Sequence, residues 1–161
     1  MQHYKTTLND EAATQALGKS LAQVLIPGLS LYLRGDLGAG KTCLTRALLH
    51  AAGHQGKVRS PTYTLAEPYQ LQLAGQTVKL LHFDLYRMSS PDEFIEAGFR
   101  EEFNQNTICI VEWPEKGQGI LPEPDILLEL SFTGVMRAVE LHALSVKGQQ
   151  CLANFRFLPN L

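Results

Sequence analysis

A mixed α/β domain, with a sheet of about six to seven strands, antiparallel hairpins and flanking helices, is the fold class this sequence predicts. Three observations point there. A short apolar run, Leu29-Ser30-Leu31-Tyr32-Leu33, passes through a glycine-rich segment into a helical pattern, the strand–loop–helix order of an α/β unit. Two pairs of apolar, β-branched runs are each separated by a few turn-forming residues, as hairpins require. The 161 residues are 45% hydrophobic and 19% charged, enough to bury one core without disulfides or structural metal, so a single domain over 1–161 is expected.

Taken in order, Met1 to Asp10 is polar and lacks the apolar core of a secretion signal, and no window approaches a membrane-spanning apolar run. Neither a targeting segment nor a membrane partner is expected. Ala13, Leu17, Leu21, Val24 and Leu25 recur at helical spacing behind Asn9 or Asp10, so a capped helix is predicted from Asp10 to Leu25. Pro27-Gly28 breaks the chain before the buried strand Leu29 to Leu33, and a helix from Lys41 to Ala52 stops at Gly53. Thr64 to Leu73 and Val78 to Tyr86 read as a hairpin about the turn Ala74-Gly75-Gln76-Thr77. Ser90-Pro91-Asp92-Glu93 starts a short helix that Gly98 ends. Thr107 to Val111 is a strand running into Glu112, and Ile126 to Phe132 pairs with Met136 to Leu144 as a second hairpin. Pro114 to Pro124 reads as a surface excursion, and the last ten residues are assigned no element.

Gly35-Asp36-Leu37-Gly38-Ala39-Gly40-Lys41-Thr42 fits G-x-x-x-x-G-K-[ST], placed between a strand and a helix as that motif demands. Glycine lets the backbone approach a phosphate closely, and the amides opening the helix supply donors and partial positive charge. The fold class is therefore P-loop NTPase-like, and the expected ligands are ATP or ADP with Mg2+. Asp36, Leu37, Gly38, Ala39, Gly40, Lys41, Thr42 and Cys43 are the nucleotide-binding candidates, with Lys41 reaching the β- and γ-phosphates and the Thr42 hydroxyl reaching the metal. The Cys43 thiol reads as a small packed group rather than a nucleophile.

A metal site beside such a loop needs an acid at the end of a neighbouring strand, and both Asp84 and Glu112 close apolar runs. One would help fix metal and the other orient water; the sequence alone does not divide the two tasks. Ser60-Pro61-Thr62-Tyr63 follows the motif's helix, where a switch sensing the γ-phosphate is often found, although a polar turn reads equally well. Trp113, the only tryptophan, follows Glu112 and belongs beside the nucleotide, on a partner surface, or in the core. His50 and His54 stand four apart, but Gly53 between them breaks the helix that would make them chelate.

The formal charge of -2 provides no field to hold a polyanion by this chain alone. Three widely spaced cysteines make neither a disulfide framework nor a CxxC pair, which points to a reducing, cytoplasmic setting. No NKxD segment supports guanine recognition, and no arginine-rich lid marks a kinase. A small-molecule kinase and a nucleotide-switched binding module remain the alternative readings.

With these segments in view, the chain resembles the bacterial TsaE (YjeE) family, the ATPases of tRNA threonylcarbamoyladenosine biosynthesis. The resemblance rests on Gly35 to Thr42, Ser60-Pro61-Thr62-Tyr63-Thr64-Leu65, His82-Phe83-Asp84-Leu85-Tyr86-Arg87 and Val111-Glu112-Trp113-Pro114, in that order. It covers roughly Asp10 to Leu144 and departs in details such as Met88 and the C-terminal tail. It implies that Thr42 and Glu112 hold magnesium, that Asp84 supports hydrolysis, that Ser60 to Tyr63 act as the switch and that Arg137 approaches the nucleotide. It also implies two partners, a threonylcarbamoyl transferase subunit (TsaD-like) and its dimerising companion (TsaB-like), with tRNA engaged indirectly through them.

Overall fold

The computed structural model describes residues 2–61, 64–157 and 159. They form a seven-stranded sheet and four α-helices: β1 (His3–Leu8), α1 (Glu11–Ala22), β2 (Ser30–Arg34), α2 (Lys41–Ala51), β3 (Ala66–Leu73), β4 (Gln76–Asp84), α3 (Pro91–Glu96), β5 (Thr107–Glu112), β6 (Ile126–Thr133), β7 (Met136–Ala143) and α4 (Val146–Asn154). The strand order is β1-β7-β6-β2-β5-β4-β3. The central four, β6, β2, β5 and β4, run parallel, while β3, β7 and β1 are antiparallel additions at the two ends.

The central strands are apolar nearly throughout because both sheet faces are covered there. On one face Leu31, Leu33, Leu80, Ile108, Ile110 and Leu128 pack with Leu17 and Leu21 of α1 and Leu44 and Leu48 of α2. On the other, Tyr32, Leu81, Phe83, Cys109 and Val111 pack with Leu85, Met88 and Phe94 of α3. Side chains alternate along a strand, so the parity of a residue decides which layer it enters.

Two elements, β1 and α4, lie where the sequence offers no strong signal. β1 is mostly polar and shows only period-two burial, ending on Leu8, because it is an edge strand laid antiparallel on β7. α4 contains a glycine, which lowers helix propensity, but at Gly148 a Cβ would lie 2.0 Å from the Asp125 carbonyl. Close packing therefore requires the residue that weakens the helical pattern; Ser145 compensates by accepting from the Gly148 amide at 2.9 Å. The first hairpin turns over Ala74-Gly75 alone, both at positive φ (49° and 80°), so Gln76 and Thr77 belong to β4 rather than to a four-residue turn. β3 starts at Ala66 instead of Thr64, and α1 ends at Ala22 instead of Leu25. The excursion after β5 opens with a 3-10 turn, Pro114–Gly117.

α1 and α2 lie side by side on the sheet, and Gly18 sets how closely they approach. A Cβ there would stand 2.7 Å from the Ala47 Cβ and 2.8 Å from the Leu44 carbonyl. Gly18→Val is expected to force the helices apart and lower stability by about 2 kcal/mol despite valine's better helix propensity, as overpacking does. A shift in the denaturation midpoint at unchanged slope checks this.

Candidate nucleotide-binding site

The glycine-rich loop leaves β2 at Arg34 and opens α2 at Lys41. Gly38 and Gly40 take φ of 79° and 109°, values that L side chains rarely adopt, and a Cβ on Gly35 would lie 2.7 Å from the Leu130 carbonyl. The N-cap of α2 is Gly40, which has no side chain to accept from the first amides. They are left as donors at the loop, the arrangement that holds phosphate.

Register places both acids against this loop. Leu33 pairs with Glu112 across β2–β5, and Glu112 pairs with Asp84 across β5–β4. Both acids share the parity of Ile110 and Leu80, which pack on the α1/α2 layer, so both carboxylates project toward α2. They line a cavity of about 250 Å³ together with Gly38, Lys41, Thr42, Tyr86 and Trp113.

Within it Lys41 is 5% exposed; its ammonium donates to the Gly35 carbonyl and, at 3.5 Å, to that of Asp36. The same ammonium lies 3.7 Å from the centre of the Trp113 ring. Burial lowers the Lys41 pKa, while Glu112, Glu115, Asp84 and Asp36 act to raise it. Trp113 sits at φ 60°, ψ 49°, turning the chain sharply out of β5, and its ring leans on Tyr86 with centroids 4.9 Å apart.

The two acids occupy different environments. Glu112 is 2% exposed and accepts from Nε2 of the fully buried His82 at 2.5 Å. With a carboxylate as acceptor, Nε2 carries the proton, and His82 Nδ1 has no hydrogen-bond partner among the described residues. Asp84 is half-buried and accepts from the Tyr86 amide at 3.1 Å. Burial pushes its pKa above the usual carboxylate value; the Tyr86 amide opposes this, and the neighbouring Glu112 charge adds to it.

Across the loop is a second cavity, of about 310 Å³, between Gly38–Gly40 and a wall of Leu8, Asp10, Glu11, Thr14, Val135 and Arg137. Arg137 donates to the Gly38 carbonyl at 3.4 Å, with its guanidinium 4.1 Å from the Phe132 ring centre. Cys43 touches both cavities, and burial together with Glu11 raises its thiol pKa, the opposite of nucleophile activation. Of the expected switch, Ser60 is exposed and Pro61 buried, neither lining these two cavities; Thr62 and Tyr63 lie outside the described residues. His50 and His54 each direct a ring nitrogen to a carbonyl, Gly56 at 2.8 Å and Lys57 at 3.1 Å.

His82 as the partner of Glu112, and Leu8, Asp10, Glu11 and Thr14 as a cavity wall, are roles that no local motif assigns. His82 carried a signal: a histidine inside an apolar strand, two before Asp84 and so on the same face. The wall carried none, because it depends on β1 docking at the far sheet edge.

Residues 8–139 match the family described as Threonylcarbamoyl adenosine biosynthesis protein TsaE. A protein of Haemophilus influenzae named tRNA threonylcarbamoyladenosine biosynthesis protein TsaE is 44% identical over 160 residues, covering 96% of this chain and 99% of its own. The protein of the same name from Bacillus subtilis is 34% identical over 145 residues, covering 84% and 87%. The crystal structure of Bacillus subtilis YdiB is similar with a TM-score of 0.74 and 27% identity, over 94% of this chain and 93% of that one.

Removing the partner of a buried carboxylate is costly, so His82→Leu is expected to destabilise the chain by about 3 kcal/mol in chemical denaturation. His82→Gln, which keeps a donor, should recover part of that loss. For Asp84, the raised folded-state pKa means that the ionised group opposes folding above that pKa. Asp84→Asn should therefore be more stable than the parent at neutral pH. The advantage should shrink as pH falls through the folded pKa toward the ordinary carboxylate range, as thermal unfolding across pH would show.

Proposed function

The chain belongs to the TsaE family, and from that premise we propose that it is the ATP-binding and ATP-hydrolysing component of the machinery that makes tRNA threonylcarbamoyladenosine. The observation that carries the reading is the register of β2, β5 and β4, which sets two carboxylates beside an uncapped P-loop helix. In this reading the main-chain donors of Gly38 to Thr42 hold the phosphates and Lys41 leaves the Gly35 carbonyl to reach the β- and γ-oxygens. Thr42 and Glu112 hold Mg2+, which when bound offsets charge on the phosphate oxygens. The donor set fits a hard cation: a hydroxyl and a carboxylate, both oxygen ligands, line one cavity.

Asp84, across the strand pair from Glu112, orients the attacking water. Its raised pKa suits it to take up the proton of that water. Arg137 and the wall of Leu8 and Val135 receive the nucleoside in the second cavity, and Ser60 to Tyr63 report the γ-phosphate. Trp113, packed on Lys41, is placed to change its fluorescence when that lysine moves. The partners in this proposal are a TsaD-like transferase subunit and a TsaB-like companion, with tRNA reached through them in the cytoplasm and the chain acting as one domain. None of the described helices is long and apolar enough to cross a membrane.

Calorimetry and phosphate release test these roles. Lys41→Ala should weaken ATP binding by at least about tenfold, the worth of a charge-assisted hydrogen bond. Thr42→Ala should lose Mg2+-dependent hydrolysis while retaining nucleotide. Replacing Asp84 or Glu112 should slow hydrolysis more than it weakens binding. Normal turnover in Lys41→Ala and Thr42→Ala would overturn the proposal, and phosphate transfer to a small metabolite would favour a kinase instead.

A further inference from the structure

We propose that the outer face of the sheet, away from the P-loop, carries a binding site for a zinc-class divalent cation made by His3, Glu140 and His142. Val139 and Leu141 of β7 enter the α1/α2 core, so Glu140 and His142 project from the opposite face. His3 of β1 is the direct cross-strand partner of His142, and Lys5 is that of Glu140. Three candidate ligands thus stand on two paired strands, the rigid kind of support a metal site needs.

The distances have the scale of a coordination polyhedron. Glu140 Oε2 is 3.4 Å from His3 Nε2 and 3.3 Å from His142 Nε2, and all three donor atoms lie within 4.8 Å of one another. Metal–ligand bonds of about 2.0–2.2 Å in tetrahedral geometry put neighbouring donors about 3.3–3.6 Å apart. His3 is the exposed member, with 46% of its side chain accessible, and its ring can turn to close the remaining gap.

Direction separates a cation site from an ordinary ion pair. His142 Nε2 is buried and has two carboxylate oxygens close by, Glu129 at 3.2 Å and Glu140 at 3.3 Å, yet it makes a hydrogen bond to neither. In an ion pair the N–H points at an oxygen, as His3 Nε2 does toward Glu140 Oε2 at 3.4 Å; His142 Nε2 has no such partner, and the His3 ring, stacked on His142 with centroids 4.7 Å apart, has to turn for both imidazoles to face one ion. Glu129 and Glu140 are also directly opposed across β6–β7, a like-charge pair that Arg34, 3.9 Å from Glu129, and Lys5, 3.4 Å from Glu140, offset in part and that a cation between them would offset further. Lys5 lies 3.4 Å from Glu140 Oε1, which leaves Oε2 toward the imidazoles, the way outer groups orient a metal ligand. Two imidazoles and a carboxylate suit zinc, cobalt or nickel rather than magnesium or calcium. A bound ion would clamp β1 to β7, and β1 leads through Leu8 into the wall of the second cavity.

The test uses the full-length, metal-free chain with Zn2+ in calorimetry and Co2+ in optical titration. One equivalent should bind, with the intense visible bands of four-coordinate cobalt, and zinc should raise the melting temperature. His3→Ala and His142→Ala should each weaken binding by at least about tenfold, whereas the double variant His50→Ala/His54→Ala should bind as the parent does. Should a variant fail to fold, histidine ring spectra of the parent decide: zinc must shift the signals of His3 and His142 and leave His50 and His54 unmoved. No uptake of either metal, unchanged affinity in both single variants, or shifts confined to other histidines would overturn the proposal. None of these readouts depends on ATP binding or hydrolysis.

Discussion

Everything at the P-loop depends on how three parallel strands are aligned. β2 delivers the chain into the loop, and the pairing of Leu33 with Glu112 and of Glu112 with Asp84 fixes where two charged groups stand relative to it. Strand side chains alternate, so a slip of one residue in β5 would turn Glu112 into the Phe83 layer and bring Val111 toward α2. The apolar faces make that slip prohibitive: Ile108 and Ile110 belong to one core, Cys109 and Val111 to the other. Hydrophobic burial on both faces is thus what aims a carboxylate.

A buried acid also needs a partner, and the fold supplies His82 from the adjacent strand. The pair commits one Glu112 oxygen inward and ties β4 to β5 at the end where the loop begins. On the other side of the loop, the wall of the second cavity depends on packing farther away. Gly18 lets α1 come close to α2, Asp10 caps α1 by accepting from the Ala13 amide at 2.8 Å, and β1 feeds directly into that cap. The two cavities are therefore built by different means, one by strand register and the other by helix contact and edge-strand docking.

The legibility of the sequence follows the same division. Central strands, the P-loop and both acids were readable because each is a local pattern: an apolar run, a glycine spacing, an acid at a strand end. Trp113 was readable only as several alternatives, since its place against Lys41 depends on a left-handed turn after β5 that no local rule demands. β1 was missed because half of its residues face outward and its apolar side is short. α4 was missed because Gly148 is retained for contact with Asp125 at the expense of helix propensity. His82 was visible as a residue but not as a partner, because its role exists only once β4 and β5 are side by side.

The most direct test of the central claim is a crystal structure of the chain with a non-hydrolysable ATP analogue and Mn2+, whose anomalous signal locates the ion. The triphosphate should lie on the amides of Gly38 to Thr42. The Lys41 ammonium should have moved from the Gly35 carbonyl to phosphate oxygens, with the ion between Thr42 and the Glu112 carboxylate. A nucleotide bound away from that loop, or an ion distant from both Asp84 and Glu112, would contradict it.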